Sequence, residues 1–465
     1  MNSINTALLL YVILMFVATF LFTSSKETSS SFIVADRNLP ENQCAFSIAA
    51  TWIWAPALFV ASSQAYLKGW QGFAWFFIPN ILTLILCGKL SLKIKEKFPS
   101  GYTLPEYMGS IYSKRVKRLY NIEMVILAIL SMAVQFVAGG KILSLITGIS
   151  FLKMSVILGV VALGYSMFSG LKASVITDFI QMILMLIVGI ITVPLLISKT
   201  GGVESIINGL GGINKDYLTL SLKSWDLFLS FGLTTTIGLL SGPVGDQSFW
   251  QRTFAMNKSN IKKAYTKAAI IFAVIPLLMA IIGFSSAGIG FIPNDVGIVN
   301  LEYIMAYLSP SFITMFIIML VSGLSSTLDS NLCAISSIIA VELKGDIKRN
   351  SRIGMVLLTI AGLLIANVPN MPIVTLFLIY GVLRTSVFAG TVTTILSNKS
   401  IKERNIFYGI LLAMLVGVPL YVIGASYKNM TLSIFATIFT LITPYIFIKL
   451  GGEKKDGKIH FKEKI

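Results

Sequence analysis

The chain has 465 residues, 55% of them hydrophobic and only 12% charged, with a mean hydropathy of +0.83. A soluble domain of this size carries about a quarter charged residues, so a water-soluble protein is excluded and no stretch reads as a separate soluble domain. The net charge of +17 does not mark a nucleic-acid surface, because 29 of the 37 Lys and Arg fall on alternate loops between apolar runs.

Those runs predict an all-α polytopic protein with thirteen transmembrane helices. They lie at 5–23, 42–66, 70–91, 119–147, 152–170, 174–196, 225–247, 265–289, 310–341, 353–370, 372–395, 405–425 and 431–448. Each is long enough to cross a hydrocarbon core of about 30 Å. The second, seventh and ninth carry polar or Pro/Gly interruptions. The positive-inside rule puts the basic loops and the tail 449–465 in the cytoplasm of a cell-membrane protein. The N-terminus is then outside, as an odd number of spans requires. The first span has no Lys or Arg before Lys26 and reads as a retained helix rather than a signal peptide.

Several chemistries lack their materials. Cys44, Cys87 and Cys333 are scattered, the only histidine is His460, and there is no phosphate-binding GxxxxGK[ST] loop. Zinc chemistry, Ser-His catalysis and ATP-driven pumping are therefore not expected, and the chain does not read as an enzyme. A passive channel is the rival outside the transporter class.

Two spans look broken. In Ala49-Ala50-Thr51-Trp52-Ile53-Trp54-Ala55-Pro56, the proline removes a backbone donor and clashes with the preceding turn. The carbonyls of Ala50 and Ile53 are thereby released towards a cation. In Ser241-Gly242-Pro243-Val244-Gly245-Asp246-Gln247, the Gly-Pro-x-Gly run is an unwinding signal. The breaks fall five spans apart, each opening a set of five, at 42–196 and 225–395. Five is odd, so the second set crosses the membrane in the opposite sense. Paired broken helices in inverted repeats accompany midplane binding sites; taken singly, each would be an ordinary kink. The extra helix 5–23 precedes the repeats, and two helices, at 405–448, follow them.

A third feature is Ser326-Thr327-Leu328-Asp329-Ser330, in the middle of the span 310–341. Hydroxyls and a carboxylate at membrane depth are costly unless they serve an ion, a substrate or one another. Oxygen-only chemistry suits Na⁺. The competing role for Ser326 and Thr327 is back-bonding to the preceding helical turn.

Four motifs in order resemble the sodium:solute symporter family. They are Gly101-Tyr102-Thr103-Leu104-Pro105-Glu106-Tyr107-Met108-Gly109, Ser169-Gly170-Leu171-Lys172 through Gln181, Gly245-Asp246-Gln247-Ser248-Phe249-Trp250-Gln251-Arg252, and Ser326-Thr327-Leu328. The resemblance implies the LeuT-type five-plus-five inverted repeat and Na⁺ as coupling ion. It implies Na⁺ ligands at Ala50, Ile53, Gly323, Ser326 and Thr327. It also implies a second cation or proton site at Asp178, Ser326, Asp329 and Ser330, where Asp329 stands in place of the family's usual hydroxyl. Two carboxylates there either strengthen a cation site or share a proton; the competing role of Asp178 is a helix cap.

For the solute, Gly242 stands where sugar-transporting relatives carry a gating tyrosine, and Ala57 replaces their polar sugar contact, which argues against a sugar. The Trp52-x-Trp54 pair resembles the urea/polyamine permease branch. On a continuous helix these two rings point apart, so one lines the solute cavity and the other packs, or both pack. Gln135 contacts solute or satisfies a neighbouring helix. Arg384, midway through 373–395, either pairs with a buried acid, Asp329 first, or binds a carboxylate of an anionic solute. The expected function is Na⁺-coupled symport of a small polar, urea-like organic solute by alternating access, with Na⁺- or H⁺-coupled transport of a small organic anion through Arg384 as the alternative.

Overall fold

The structure, a computed structural model, describes residues 3–22, 28–168, 170–369, 372–397 and 401–450. Lys26, Ser169, Lys399, His460 and the tail beyond Leu450 lie outside them. Among the described residues the regular structure is helical, with an isolated bridge between Leu39 and Met256. A chain surrounded by lipid must satisfy its backbone internally, and an apolar helix does so within each segment.

The main helices, in chain order, are α1 (Ser3–Phe22), α2 (Glu41–Trp52), α3 (Ala55–Lys97), α4 (Lys114–Thr147), α5 (Phe151–Ser166) and α6 (Leu171–Lys199). They continue with α7 (222–240), α8 (Gln247–Ala255), α9 (Lys258–Gly288), α10 (Val299–Tyr307) and α11 (Pro310–Glu342). The last are α12 (Ile347–Ala366), α13 (Ile373–Leu396), α14 (Glu403–Ser426) and α15 (Met430–Leu450). Helical segments stand at all thirteen expected positions, and among the described residues ten single helices are long and apolar enough to cross a membrane.

α3 counts twice. At Gly69 the backbone takes φ 56°, ψ −152°, a region open only to glycine. A Cβ there would lie 2.1 Å from the Leu210 carbonyl oxygen. The segment 55–68 completes the crossing begun by α2, and 70–97 is the next crossing.

Both expected breaks are present. α2 stops at Trp52; Ile53 (φ −85°, ψ 73°) and Trp54 (φ −98°, ψ 179°) are non-helical, and α3 restarts with Pro56 in its first turn. Proline is tolerated there because a first-turn N–H has no helical partner. The second break runs from Ser241 to Asp246, and the helix resumes as α8, capped by Asp246 Oδ1, which accepts the Ser248 N–H at 2.8 Å. The expected end of this span at 247 is therefore corrected: Gln247 opens a further nine-residue helix. α11 is continuous through its polar run, where Ser322, Ser325 and Thr327 bond carbonyls of the preceding turn.

Elements at matching places in the two halves pack on one another: α3 on α9, α4 on α11 and α5 on α12. The broken segments lie inside this frame, where α2 touches α6, α9 and α11.

Candidate functional site

At the first break Ile53's carbonyl is left without a helical partner. Ala55 N–H bonds Gln135 Oε1 at 2.9 Å, Pro56 has no N–H, and the amides of Ala57 and Leu58 both bond the Trp54 carbonyl. The freed Ile53 carbonyl faces Gly323 of α11, whose Cβ, if it had one, would lie 3.3 Å from that oxygen. Thr327 Oγ1 donates between the carbonyls of Gly323 (3.2 Å) and Thr51 (3.4 Å). Ile53, Gly323 and Thr327 thus come together, with Ala50 one turn back in α2, its carbonyl accepting the Ile53 N–H at 3.2 Å. Uncharged carbonyl and hydroxyl oxygens fit a hard monovalent cation. Ser326 Oγ instead donates to Asp178 Oδ1 at 2.6 Å.

Gln135 caps the restarted helix. Its Oε1 accepts from Ala55 and its Nε2 donates to the Ser131 carbonyl at 3.1 Å. Asn331, bonded to Ser131 Oγ at 3.0 Å, extends the chain to α11.

Asp178 and Ser330 also come together, around a side chain that sequence reasoning missed. Arg252 of α8 places Nη2 2.8 Å from Asp178 Oδ2 and 2.7 Å from Ser330 Oγ, with both charged side chains fully buried. Its Nε donates to Ser47 Oγ at 2.7 Å, and Ser47 Oγ in turn donates to Asp178 Oδ2 at 2.6 Å. Nη1 bonds the Ser248 carbonyl, and Thr51 shares a 2.9 Å hydrogen bond with Ser330. The guanidinium thereby sits among the oxygens expected to hold a second cation. Read from sequence, Arg252 was one more loop charge. The restart of the helix at Gln247 carries it inward instead.

Asp329 stands apart, accepting from Ser166 Oγ at 2.6 Å, with its other oxygen buried and unpartnered. It does not meet Arg384. Glu123 of α4, also fully buried, accepts from Ser386 Oγ of α13 at 3.1 Å; nothing in its apolar neighbourhood in the sequence marked it.

Arg384 of α13 is buried in an aromatic box. Its Cζ lies 4.2 Å from the ring centroid of Tyr380 and 5.6 Å from those of Trp52 and Trp54. The two tryptophans, which would point apart on a continuous helix, meet here. The extended turn at Ile53 abolishes the helical i, i+2 divergence, so both rings converge on Arg384. The second break completes the box: a Cβ at Gly242 would lie 2.4 Å from the Trp52 ring and 3.0 Å from Arg384 Nη1. Tyr380 OH reaches Asp246 Oδ2 at 3.5 Å. A small cavity of about 10 Å³, lined by Tyr380, Asp246, Gly245, Leu127, Asn331 and Ile338, lies beside Asp246.

An all-helical membrane fold with two broken helices around a polar midsection defines a secondary-transporter architecture. Residues 32–417 match the sodium:solute symporter family, and the chain belongs to that family. It is 26% identical over 486 residues to the sodium/pantothenate symporter of Haemophilus influenzae, covering 98% of each chain. It is 23% identical to the probable urea active transporter 1 of Schizosaccharomyces pombe, covering 56% of this chain and 40% of that one. The chain spans half or less of the length of the urea-transporter relatives it matches. A solved Na⁺-coupled sialic acid symporter, substrate-bound and outward-open, superposes with a TM-score of 0.79 at 15% identity, covering 98% of this chain and 99% of that one. The fold is thus the LeuT-type one.

Proposed function

We propose that this protein is a secondary active transporter of the cell membrane that couples entry of Na⁺ to import of a small polar organic solute by alternating access. The freed Ile53 carbonyl facing Gly323 and Thr327 carries the reading. The proposed Na⁺ ligands are Ala50, Ile53, Gly323 and Thr327, with Ser326 beside them. Na⁺ bound there joins the α2–α3 break to α11, two elements that must move relative to each other when the site changes sides. Solute binds on the opposite face of the same break, among Trp52, Trp54 and Arg384, so occupancy by one favours the geometry needed by the other. The repeats are 42–196 and 225–395, and the N-terminus lies outside.

The position around Asp178 and Ser330 is served by Arg252, which makes Na⁺ coupling at one site the simplest reading. Asp329, with its unpartnered oxygen, is the candidate for a proton.

Two solute classes have support. Relatives named as urea transporters and the Trp-x-Trp pair favour a urea-like solute. The unpaired guanidinium of Arg384, together with a relative named for pantothenate, favours a small organic anion. Uptake into proteoliposomes tests the transport reading: an inward Na⁺ gradient drives accumulation of a solute from a panel of amides and carboxylates, and a Na⁺ ionophore collapses it. Equal uptake in K⁺ medium would count against coupling.

A further inference from the structure

We infer that the transported solute carries a carboxylate, and that the carboxylate seats on Arg384 and the edges of Trp52 and Trp54. The inference rests on the transporter reading above and deepens it.

Five buried nitrogens in this one group of touching side chains have no hydrogen-bond partner: Nε, Nη1 and Nη2 of Arg384 and Nε1 of Trp52 and of Trp54. Every one is a donor. Guanidinium and indole N–H groups have no acceptor capacity, and arginine does not shed its proton in a protein. Three aromatic ring centroids lie 4.2 to 5.6 Å from the Arg384 Cζ, and cation–π attraction of this kind supplies no hydrogen-bond acceptor to the buried N–H fork. Among the described residues no carboxylate forms an ion pair with Arg384; the seven ion pairs lie elsewhere. The nearby acid, Asp246, is engaged at Oδ1 by Ser248 N–H and at Oδ2 by Tyr380 OH.

A ligand that satisfies these five donors must bring acceptors. A carboxylate does this and matches the guanidinium fork with two parallel bonds. Urea offers a single acceptor oxygen against the five buried donors, with no charge to match the guanidinium. The walls behind the box are apolar, with Phe249 5.3 Å from Trp52 and Phe377 5.7 Å from Trp54 between ring centroids. The solute class is therefore a small monocarboxylate with a short apolar body.

The test uses the purified full chain in detergent and reads thermal unfolding. Probes are the choline salts of propionate, pyruvate and benzoate, against propionamide, benzamide and urea, each in NaCl and in KCl. The expected result is that at least one carboxylate raises Tm in Na⁺. Its amide at the same concentration binds at least about tenfold more weakly, the factor expected from about one lost charged contact. Arg384→Gln abolishes the carboxylate response and keeps the Na⁺ response, and Arg384→Lys retains a weakened one. If Arg384→Gln fails to fold, the acid-against-amide contrast in the wild type decides alone. Stabilisation by urea or an amide equal to that by the acids overturns the inference. So does a Na⁺ response with no carboxylate response, or a carboxylate response that survives in Arg384→Gln. Absence of any Na⁺ response overturns the coupling reading instead; a carboxylate shift in KCl would then still support the seat, and its absence would overturn that too.

Discussion

Arg252 and Asp178 form a fully buried ion pair at 2.8 Å between α8 and α6, wrapped by the hydroxyls of Ser47, Ser326 and Ser330. Each charge is satisfied by the other and by hydroxyls drawn from α2 and α11. A pair of this kind holds the second broken helix to the scaffold helix and leaves no uncompensated charge for a second cation to neutralise.

Removing one member leaves the other charged and buried. Arg252→Gln or Asp178→Asn alone is expected to destabilise the protein by about 3–5 kcal/mol, seen as loss of monodisperse material after solubilisation and a lower Tm. The double variant recovers most of that loss, because two neutral amide side chains can bond each other and the same serines. Recovery confined to one single variant would show that the partners are not coupled.

Gln135→Ala leaves the Ala55 N–H buried without an acceptor, at a cost of about 1–3 kcal/mol. The cap sits beside the freed Ile53 carbonyl, so half-maximal Na⁺ stabilisation should require more Na⁺. Gln135→Glu, which keeps the acceptor, should come closer to wild type. A change in solute affinity with Na⁺ response intact would make Gln135 a solute contact instead.

Gly242→Ala drives a methyl group into Trp52 and the Arg384 guanidinium. Overpacking of this kind costs about 1–3 kcal/mol, spent here on displacing the box. The expected outcome is near-normal expression and Na⁺ stabilisation with strongly reduced solute uptake. Unimpaired uptake would place the solute elsewhere.

Much of this was legible in the sequence because membrane helices announce themselves by apolar length, and breaks by proline and glycine. Pro56 and Gly242-Pro243 located both interruptions, and Trp52, Trp54, Gln135 and Arg384 all lie around them. What escaped were consequences of the breaks. The convergence of both tryptophans depends on the extended backbone at Ile53, which i, i+2 spacing on a helix cannot express. The burial of Arg252 depends on Asp246 capping a new helix, whereas a charge five residues after Gln247 reads as a loop. Ser326 and Asp178 are grouped from sequence by the family resemblance alone, since their bond is a long-range contact that no local pattern contains. The polar run in α11 looked like an interruption, but hydroxyls that back-bond to their own helix leave it continuous.

The coupling ion is the centre of the account, and direct ²²Na⁺ binding to purified protein, with and without excess K⁺, tests it. A Na⁺ site at the Ile53 carbonyl and Thr327 gives saturable Na⁺ binding that K⁺ does not displace, weakened about tenfold or more in Thr327→Ala, the loss of a ligand worth about 1.4 kcal/mol. Na⁺ binding no stronger than that of K⁺, or unchanged in Thr327→Ala, would contradict it.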